Sequence, residues 1–246
     1  MKIFILSNEY LGYKISTYLI KKKEKIVGIG VNDKKSFYSK KLLNIFNKKF
    51  IFTIKKNISL KQINLIKNLK PDVILVVYWK YLLKESFFKI PKYGCINFHM
   101  AYLPYNRGKN PNFWSIVENT PAGCTIHKID EGIDSGEILC QSKTRFNYFD
   151  TGKTLFIKIL RDFLKLFYKN WNKMKKNKFT GYKQSLKRGS FHLSKDFEKS
   201  SIINLKKKYY PLDLINIIRA KMFKPHKPAY FKIGNKKYYI EVKITK

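Results

Sequence analysis

The sequence predicts a doubly wound α/β protein: a mostly parallel sheet covered by helices on both faces, followed by a small helix-and-hairpin extension. Three observations carry this. Short apolar runs alternate with helical patterns through the first half of the chain. The run Val73 to Val77 is apolar at every position, as in strands buried on both faces of a parallel sheet. Beyond residue 180 the pattern changes, and two β-rich stretches flank Gly234-Asn235, a hairpin turn signal.

Taken in order, Lys2 to Ser7 reads as a strand and Gly12 to Lys22 as a helix. Lys25 to Val31 is the second strand and Phe50 to Ile54 a short third. Ile63, Ile66 and Leu69 recur at helical spacing, with Ser59 as the N-cap and Pro71 just past the end. After Val73 to Val77, the next strand is Gly94 to His99. Gly152 to Met174 is one long amphipathic helix, with Leu155, Ile159, Phe163, Leu166 and Phe167 on its apolar face. Lys173 to Lys178 reads as a basic, solvated loop. Residues 209–223 read as a helix, and Phe231 to Ile233 with Tyr238 to Val242 as the hairpin strands. The chain thus divides into a main α/β domain, 1–180, and an extension, 181–246.

Composition narrows the options. With 246 residues and 44% hydrophobic content, the chain has enough apolar surface for a sizeable core. The formal net charge is +36, but only five of the 52 basic residues are Arg (107, 145, 161, 188 and 219). Base-reading and phosphate-forking sites favour Arg for its bidentate geometry. Lys, Ile and Asn are abundant together and share A/T-rich codons, so the charge does not call for a specific nucleic-acid partner. It does steer small anions toward the surface. Cys95, Cys124 and Cys140 form no CxxC pair, so neither a disulfide framework nor a zinc site is expected. Cys95 and Cys124 lie in apolar stretches and read as small hydrophobes. No run approaches the ~20 apolar residues of a membrane span, and the N-terminus lacks a signal-peptide pattern. A cytoplasmic protein is expected. The turn from Ser7 to Gly12 carries no GxGxxG, so a dinucleotide site is poorly supported.

The chemistry concentrates between residues 94 and 138. Asn97 and His99 are two apart on a strand, so they share a face. Both stand at its carboxyl end, where open α/β sheets place ligands. A side-chain amide donates to a developing oxyanion, and an imidazole handles a proton near neutral pH. Asp134, in an Ile-Asp-Ser-Gly turn, is placed to orient His99 or a water. Acyl transfer to an amine needs these groups, although each alone also has a structural reading, Asp134 as an Asx-turn residue among them.

The combination resembles the folate-dependent formyltransferase family: methionyl-tRNA, glycinamide ribonucleotide and sugar-nucleotide N-formyltransferases. The family pattern runs Asn-x-His-x-x-x-Leu-Pro-x-x-Arg-Gly, then Pro and Trp, then Gly-x-Thr-x-His and Asp-x-Gly-x-Asp-x-Gly. The chain supplies Asn97, His99, Leu103, Pro104, Arg107, Gly108, Pro111, Trp114, Gly123, Thr125, His127, Asp130, Gly132, Asp134 and Gly136 in that order. It departs at Met100 and Ala101, where the family often has Ser or Pro.

The resemblance implies a Rossmann-like formyltransferase fold and a catalytic set of Asn97, His99 and Asp134. Asn97 would hold the formyl oxygen, His99 would stabilise it or take the amine proton, and Asp134 would position His99. His127 would help hold the loop. The implied co-substrate is N10-formyltetrahydrofolate, with no metal. Its pterin would lie against Tyr78, Trp79, Lys80, Tyr81 and Leu82, and against Asp130, Glu131, Gly132 and Ile133. Trp79 reads equally as a core aromatic. Tyr105, Arg107, Gly108, Lys109, Asn110 and Pro111 would line the acceptor side.

The short tail after residue 180, with Gly189-Ser190-Phe191-His192 and Ile218-Arg219-Ala220, resembles that of the sugar-nucleotide enzymes. Arg219 itself reads as a structural ion-pair residue. The expected acceptor is an amino-deoxysugar on a nucleotide diphosphate, with dTDP favoured, for O-antigen or other surface polysaccharide, and the expected assembly is a homodimer. Transfer to initiator methionyl-tRNA and hydrolysis of formyltetrahydrofolate are the alternatives.

Overall fold

The computed structural model describes residues 1–54 and 58–245. Its strands and helices follow one another as the doubly wound pattern requires. They are β1 (Lys2–Ser7), α1 (Glu9–Lys21), β2 (Lys25–Val31), α2 (Phe37–Ile45), β3 (Ile51–Thr53), α3 (Leu60–Asn68), β4 (Val73–Val77), α4 (Glu85–Phe88) and β5 (Cys95–His99). Then come β6 (Arg107–Gly108), α5 (Pro111–Val117), β7 (Gly123–Lys128), β8 (Ile138–Lys143) and α6 (Gly152–Lys176). The chain continues with β9 (Phe191–His192), α7 (Ser194–Lys199), α8 (Pro211–Lys221), β10 (Ala229–Ile233) and β11 (Lys236–Ile240).

Seven strands form one sheet in the order β3-β2-β1-β4-β5-β7-β8. The pairs β1–β2, β2–β3, β1–β4 and β4–β5 are parallel. The order reverses at β1–β4, which makes the sheet doubly wound. β1 and β4 pair in register from Ile3↔Val73 to Ser7↔Val77. Val73 to Val77 are all buried, as the unbroken apolar run requires. Burying β4 sets its successor, β5, deep in the sheet, so the carboxyl end of β5 opens on the edge where ligands bind.

Backbone packing divides the chain into two compact units. The first contains Met1–His99, Ile126–Cys140 and Phe167–Lys183. The second contains Met100–Thr125, Gln141–Leu166 and Gln184–Lys246. The chain passes between these units several times.

In the first unit, α3 begins on a capping box. Gln62 N donates to Ser59 Oγ at 3.3 Å and Ser59 N donates to Gln62 Oε1 at 3.1 Å. The α6 segment in this unit buries Phe167 and Trp171. Phe167 meets Phe98 at 5.5 Å between ring centres, and Trp171 Nε1 donates to Glu24 Oε1 at 2.7 Å. Lys173 to Lys176 is helix rather than loop. The reason is Met174, which continues the apolar face past Trp171 and is 5% exposed. Cys95 is fully buried and its thiol pKa is pushed up by desolvation, so it packs as a hydrophobe.

In the second unit, β10 and β11 form the expected hairpin, turning at Gly234 with φ +55°. Ile203, Ile218 and Ala229 form its small core. Arg219 is 3% exposed, and among the described residues its hydrogen bonds go to carbonyl and amide oxygens, with the Asp150 charge acting on it. It donates to the Asp150 carbonyl at 2.7 Å, the Asn147 carbonyl at 3.0 Å and Asn216 Oδ1 at 2.8 Å.

The helices α2, α5 and α7 and the strands β7 and β8 go beyond the sequence reading. α2 is short, and Ser39 and Leu42 are the residues it buries, too few to give a periodic signal. Among the described residues no helix is long and apolar enough to cross a membrane.

Candidate active site

β5 ends in Asn97-Phe98-His99, and alternation turns Phe98 into the core while Asn97 and His99 share the other face. The turn between β7 and β8 brings Asp134 to them. Asn97 Nδ2 donates to Asp134 Oδ1 at 3.1 Å. His99 Nδ1 lies 3.6 Å from Asp134 Oδ2, an ion-pair distance whenever the imidazole is charged. His99 is 8% exposed. Water is largely excluded, which strengthens charge interactions inside the cluster. Asp134 adopts φ +51°, the left-handed region rarely used by non-glycine residues. Such backbone strain clusters at functional sites because the surroundings must impose it.

His127 enters the same cluster. It is 1% exposed, and Asn97 Nδ2 reaches its Nε2 at 3.2 Å. Its Nδ1 lies 2.7 Å from the Lys128 carbonyl, and its Nε2 lies 3.5 Å from Asp134 Oδ1. Sequence reasoning gave His127 a loop-holding part. Its larger part follows from its position on β7, which only the sheet order places beside β5.

The loop carrying Asp134 is built by its own residues. Asp130 Oδ1 accepts from Gly132 N at 3.2 Å and from Ser135 Oγ at 2.7 Å. The Asp130 carboxylate is thus engaged within the loop, whereas Glu131 is exposed and Ile133 half-buried. Lys128 N donates to the Glu137 carbonyl at 2.9 Å and closes the base of the turn. At Gly136 a Cβ would stand 2.1 Å from the Lys128 carbonyl oxygen. Gly136→Ala is therefore expected to shift this backbone, displace Asp134 and cut turnover at least ~10-fold, since small misplacements of reacting groups are costly. A kinetic comparison with wild type checks this, and an unchanged kcat would show that the turn absorbs the methyl group.

The loop after β4 faces the same edge. Tyr78 also has a left-handed backbone, φ +53°. Burial, reinforced by Glu9, raises its hydroxyl pKa, so it remains a neutral group. Trp79 is half-buried, packs against the β1–β4 core cluster and meets Tyr81 edge-on at 6.2 Å. Lys80 Nζ stands 4.0 Å from Glu9, and Leu82 is 77% exposed. The two loops expected to meet the pterin thus offer backbone groups and apolar surface, with few committed polar side chains. Among the described residues no group of three or more His, Cys, Asp or Glu side chains has the arrangement of a metal site.

Tyr105 to Pro111 lie in the second unit. Arg107 lies over the Phe191 ring at 5.7 Å, and its Nε is buried without a hydrogen-bond partner among the described residues. Gly108 has φ +91°, and a Cβ there would stand 2.2 Å from the His192 carbonyl oxygen. Lys109 N donates to that carbonyl at 3.0 Å. Asn110 caps α5 in a left-handed conformation, with Pro111 at the first helical turn. Two organisers of this loop escaped the sequence reading. Asn106 is fully buried and donates to Ser115 Oγ at 2.9 Å and Thr120 Oγ1 at 2.8 Å. His192 stacks on Trp114 at 3.9 Å and pairs with Glu118 Oε1 at 3.1 Å.

A mostly parallel, doubly wound sheet with polar groups converging at the carboxyl end of β5 defines an α/β enzyme scaffold. Comparison with known proteins makes this specific. The family model described as formyl transferase matches residues 15–166, and that of the N-formyltransferase dimerization C-terminal domain matches residues 196–246. The chain belongs to the formyl transferase family. It is similar to a bifunctional polymyxin resistance protein ArnA from Wigglesworthia glossinidia brevipalpis, 29% identical over 98% of this chain and 37% of that protein. Methionyl-tRNA formyltransferases match over shorter stretches. The chain spans between about a quarter and just over half the length of these curated relatives.

Among solved structures, a 4-N formyltransferase from Francisella tularensis is 26% identical, with a TM-score of 0.83, over 100% of this chain and 98% of that one. The formyltransferase PseJ from Anoxybacillus kamchatkensis is 29% identical, with a TM-score of 0.59, over 81% of this chain and 89% of that one. That structure was solved in complex with UDP-4,6-dideoxy-4-formamido-L-AltNAc and tetrahydrofolate.

Proposed function

We propose that this protein transfers a formyl group from N10-formyltetrahydrofolate to the amine of a nucleotide-linked amino-deoxysugar. The observation that carries this is the Asn97–His99–Asp134 cluster in a chain similar over its whole length to a 4-N formyltransferase. The tetrahydrofolate and nucleotide sugar held by PseJ support the pairing of donor and acceptor. dTDP is the favoured carrier, and O-antigen or related surface polysaccharide the favoured destination. The work is that of a cytoplasmic enzyme. Residues 1–180 carry the chemistry, and the extension 181–246 supplies the homodimer contact, in keeping with the dimerization model matched there.

In this reading the acceptor amine attacks the formyl carbon, and the new C–N bond forms as the bond to N10 breaks. Asn97 and His99 stabilise the oxyanion. The amine proton passes through His99, held by Asp134, and ends on N10 of the departing tetrahydrofolate. Tyr78, Trp79, Lys80, Tyr81, Leu82 and the 130–133 turn border the pterin. Tyr105 to Pro111 serve the acceptor, Arg107 meeting the diphosphate.

Transfer to initiator methionyl-tRNA is the second reading, favoured by the tRNA-type relatives and the +36 charge. An acceptor screen separates the two. The protein is incubated with the folate donor and nucleotide amino sugars, initiator methionyl-tRNA, or no acceptor. Formation of a sugar product heavier by one CO is expected. Turnover with tRNA alone, falling steeply with salt, assigns the protein to translation. Release of formate without acceptor makes it a hydrolase.

A further inference from the structure

We propose that His127 is a positioning residue for Asn97, acting through a bare Nε2 that takes one of the two amide hydrogens and so decides which atoms of Asn97 meet the reacting formyl group. The inference rests on the formyl-transfer reading above.

The argument is one of donors and acceptors. The Lys128 carbonyl only accepts, so the 2.7 Å contact from His127 Nδ1 requires the hydrogen on Nδ1. A neutral imidazole has one N–H, which leaves Nε2 as an acceptor. Asn97 Nδ2 lies 3.2 Å from it and 3.1 Å from Asp134 Oδ1. A side-chain amide carries two hydrogens on nitrogen and none on oxygen. Turning Asn97 over would set its carbonyl oxygen against both a carboxylate oxygen and the Nε2 lone pair. The two neighbours therefore fix the amide with its nitrogen inward. A proton on Nε2 would abolish this, because it would face the amide hydrogens and turn toward Asp134 Oδ1, 3.5 Å away.

The arrangement treats the two hydrogens differently. One is held by a buried imidazole, whose ring stands edge-on to His99 at 6.3 Å. The other is directed at Asp134, whose carboxylate is drawn to the imidazolium that forms as His99 takes up the amine proton. That second hydrogen is then released to the formyl oxygen as the oxyanion develops. Without the acceptor on His127 only Asp134 orients the amide, and this ordered exchange is lost.

Two variants and one spectrum test the proposal. His127→Asn keeps an amide near the Nδ1 position, able to reach the Lys128 carbonyl, and leaves nothing at Nε2. His127→Gln reaches the Nε2 position with an oxygen acceptor. His127→Asn is expected to lose at least ~10-fold in kcat while His127→Gln stays within ~3-fold of wild type, and KM for donor and acceptor is expected to move less than ~2-fold in both. Equal losses, or a wild-type kcat in His127→Asn, would mean that the ring merely fills space and would overturn the proposal. Independently, imidazole ¹⁵N spectra of the wild-type protein are expected to show His127 protonated on Nδ1 and bare on Nε2 at neutral pH. An Nε2–H tautomer or an imidazolium overturns the proposal whatever the kinetics. Absence of turnover with every acceptor would defeat the formyl-transfer reading, and the spectrum would still decide the His127–Asn97 contact.

Discussion

Replacing Asn97, His99 or Asp134 with Ala is expected to lower formyl transfer by about 100-fold or more in each case, with the fold retained. The size follows from what each side chain touches. Asn97 is bonded to Asp134 at 3.1 Å, and Asp134 also lies within ion-pair distance of both His99 and His127. Removing Asp134 therefore leaves the His99 imidazole and the Asn97 amide without their shared acceptor. Because the three act as a unit, double variants should lose little more than single ones. The fold should survive because β5 is anchored elsewhere: Ile96 and Phe98 remain in the core, and the Cys95 carbonyl still accepts from Ile129 N at 2.8 Å. Asp134→Asn is the sharper probe, since it keeps shape and removes charge. Single-turnover release of tetrahydrofolate, with thermal unfolding as the folding control, measures both. Any Ala variant that keeps more than about a tenth of the wild-type rate is released from its assigned role.

Arg219→Met is expected to destabilise the protein by ~2–4 kcal/mol, because several buried neutral oxygens lose their donor together. The substitution keeps most of the side-chain volume but no donor. Two backbone carbonyls, of Asn147 and Asp150, and the Asn216 side-chain oxygen would then be buried without these hydrogen bonds. Each such loss typically costs about 1–3 kcal/mol, and local relaxation recovers part of it. Urea unfolding is the measurement, and a change below ~1 kcal/mol would show that water reaches these carbonyls.

The neighbouring Asp150 adds a pH signature. Burial opposes its charge, but the Lys158 ammonium, the Asn147 N–H and the Thr154 hydroxyl outweigh burial and hold its carboxyl pKa below the ordinary value. A carboxyl with a lowered pKa contributes stability above its unfolded pKa. That contribution is lost as pH falls through the folded one. Acid should therefore weaken the wild-type protein in this region.

What was legible in the sequence was whatever depends on local pattern. The strands β1 and β2 and the buried β4 carry period or composition that needs no partner to be read. The Ser59 cap is a local side-chain-to-backbone bond, and the amphipathic face of α6 repeats along a single helix. Asn97 and His99 were placed on one face by alternation alone. The spacing of fifteen motif residues identified the family before any geometry was known.

Tertiary structure decided whatever depends on residues far apart in sequence. His127 joined the cluster because β7 lies beside β5, thirty positions away. Asn106 and His192 became organisers of the acceptor loop because β9 pairs with β6 across more than eighty residues. Arg219 bonds carbonyl oxygens about seventy residues upstream. The physical reason is common to all of these. A hydrogen bond is specific only once both partners are brought within about 3 Å. Periodicity records which side of an element is buried, whereas only the packed sheet determines what is waiting on the other side.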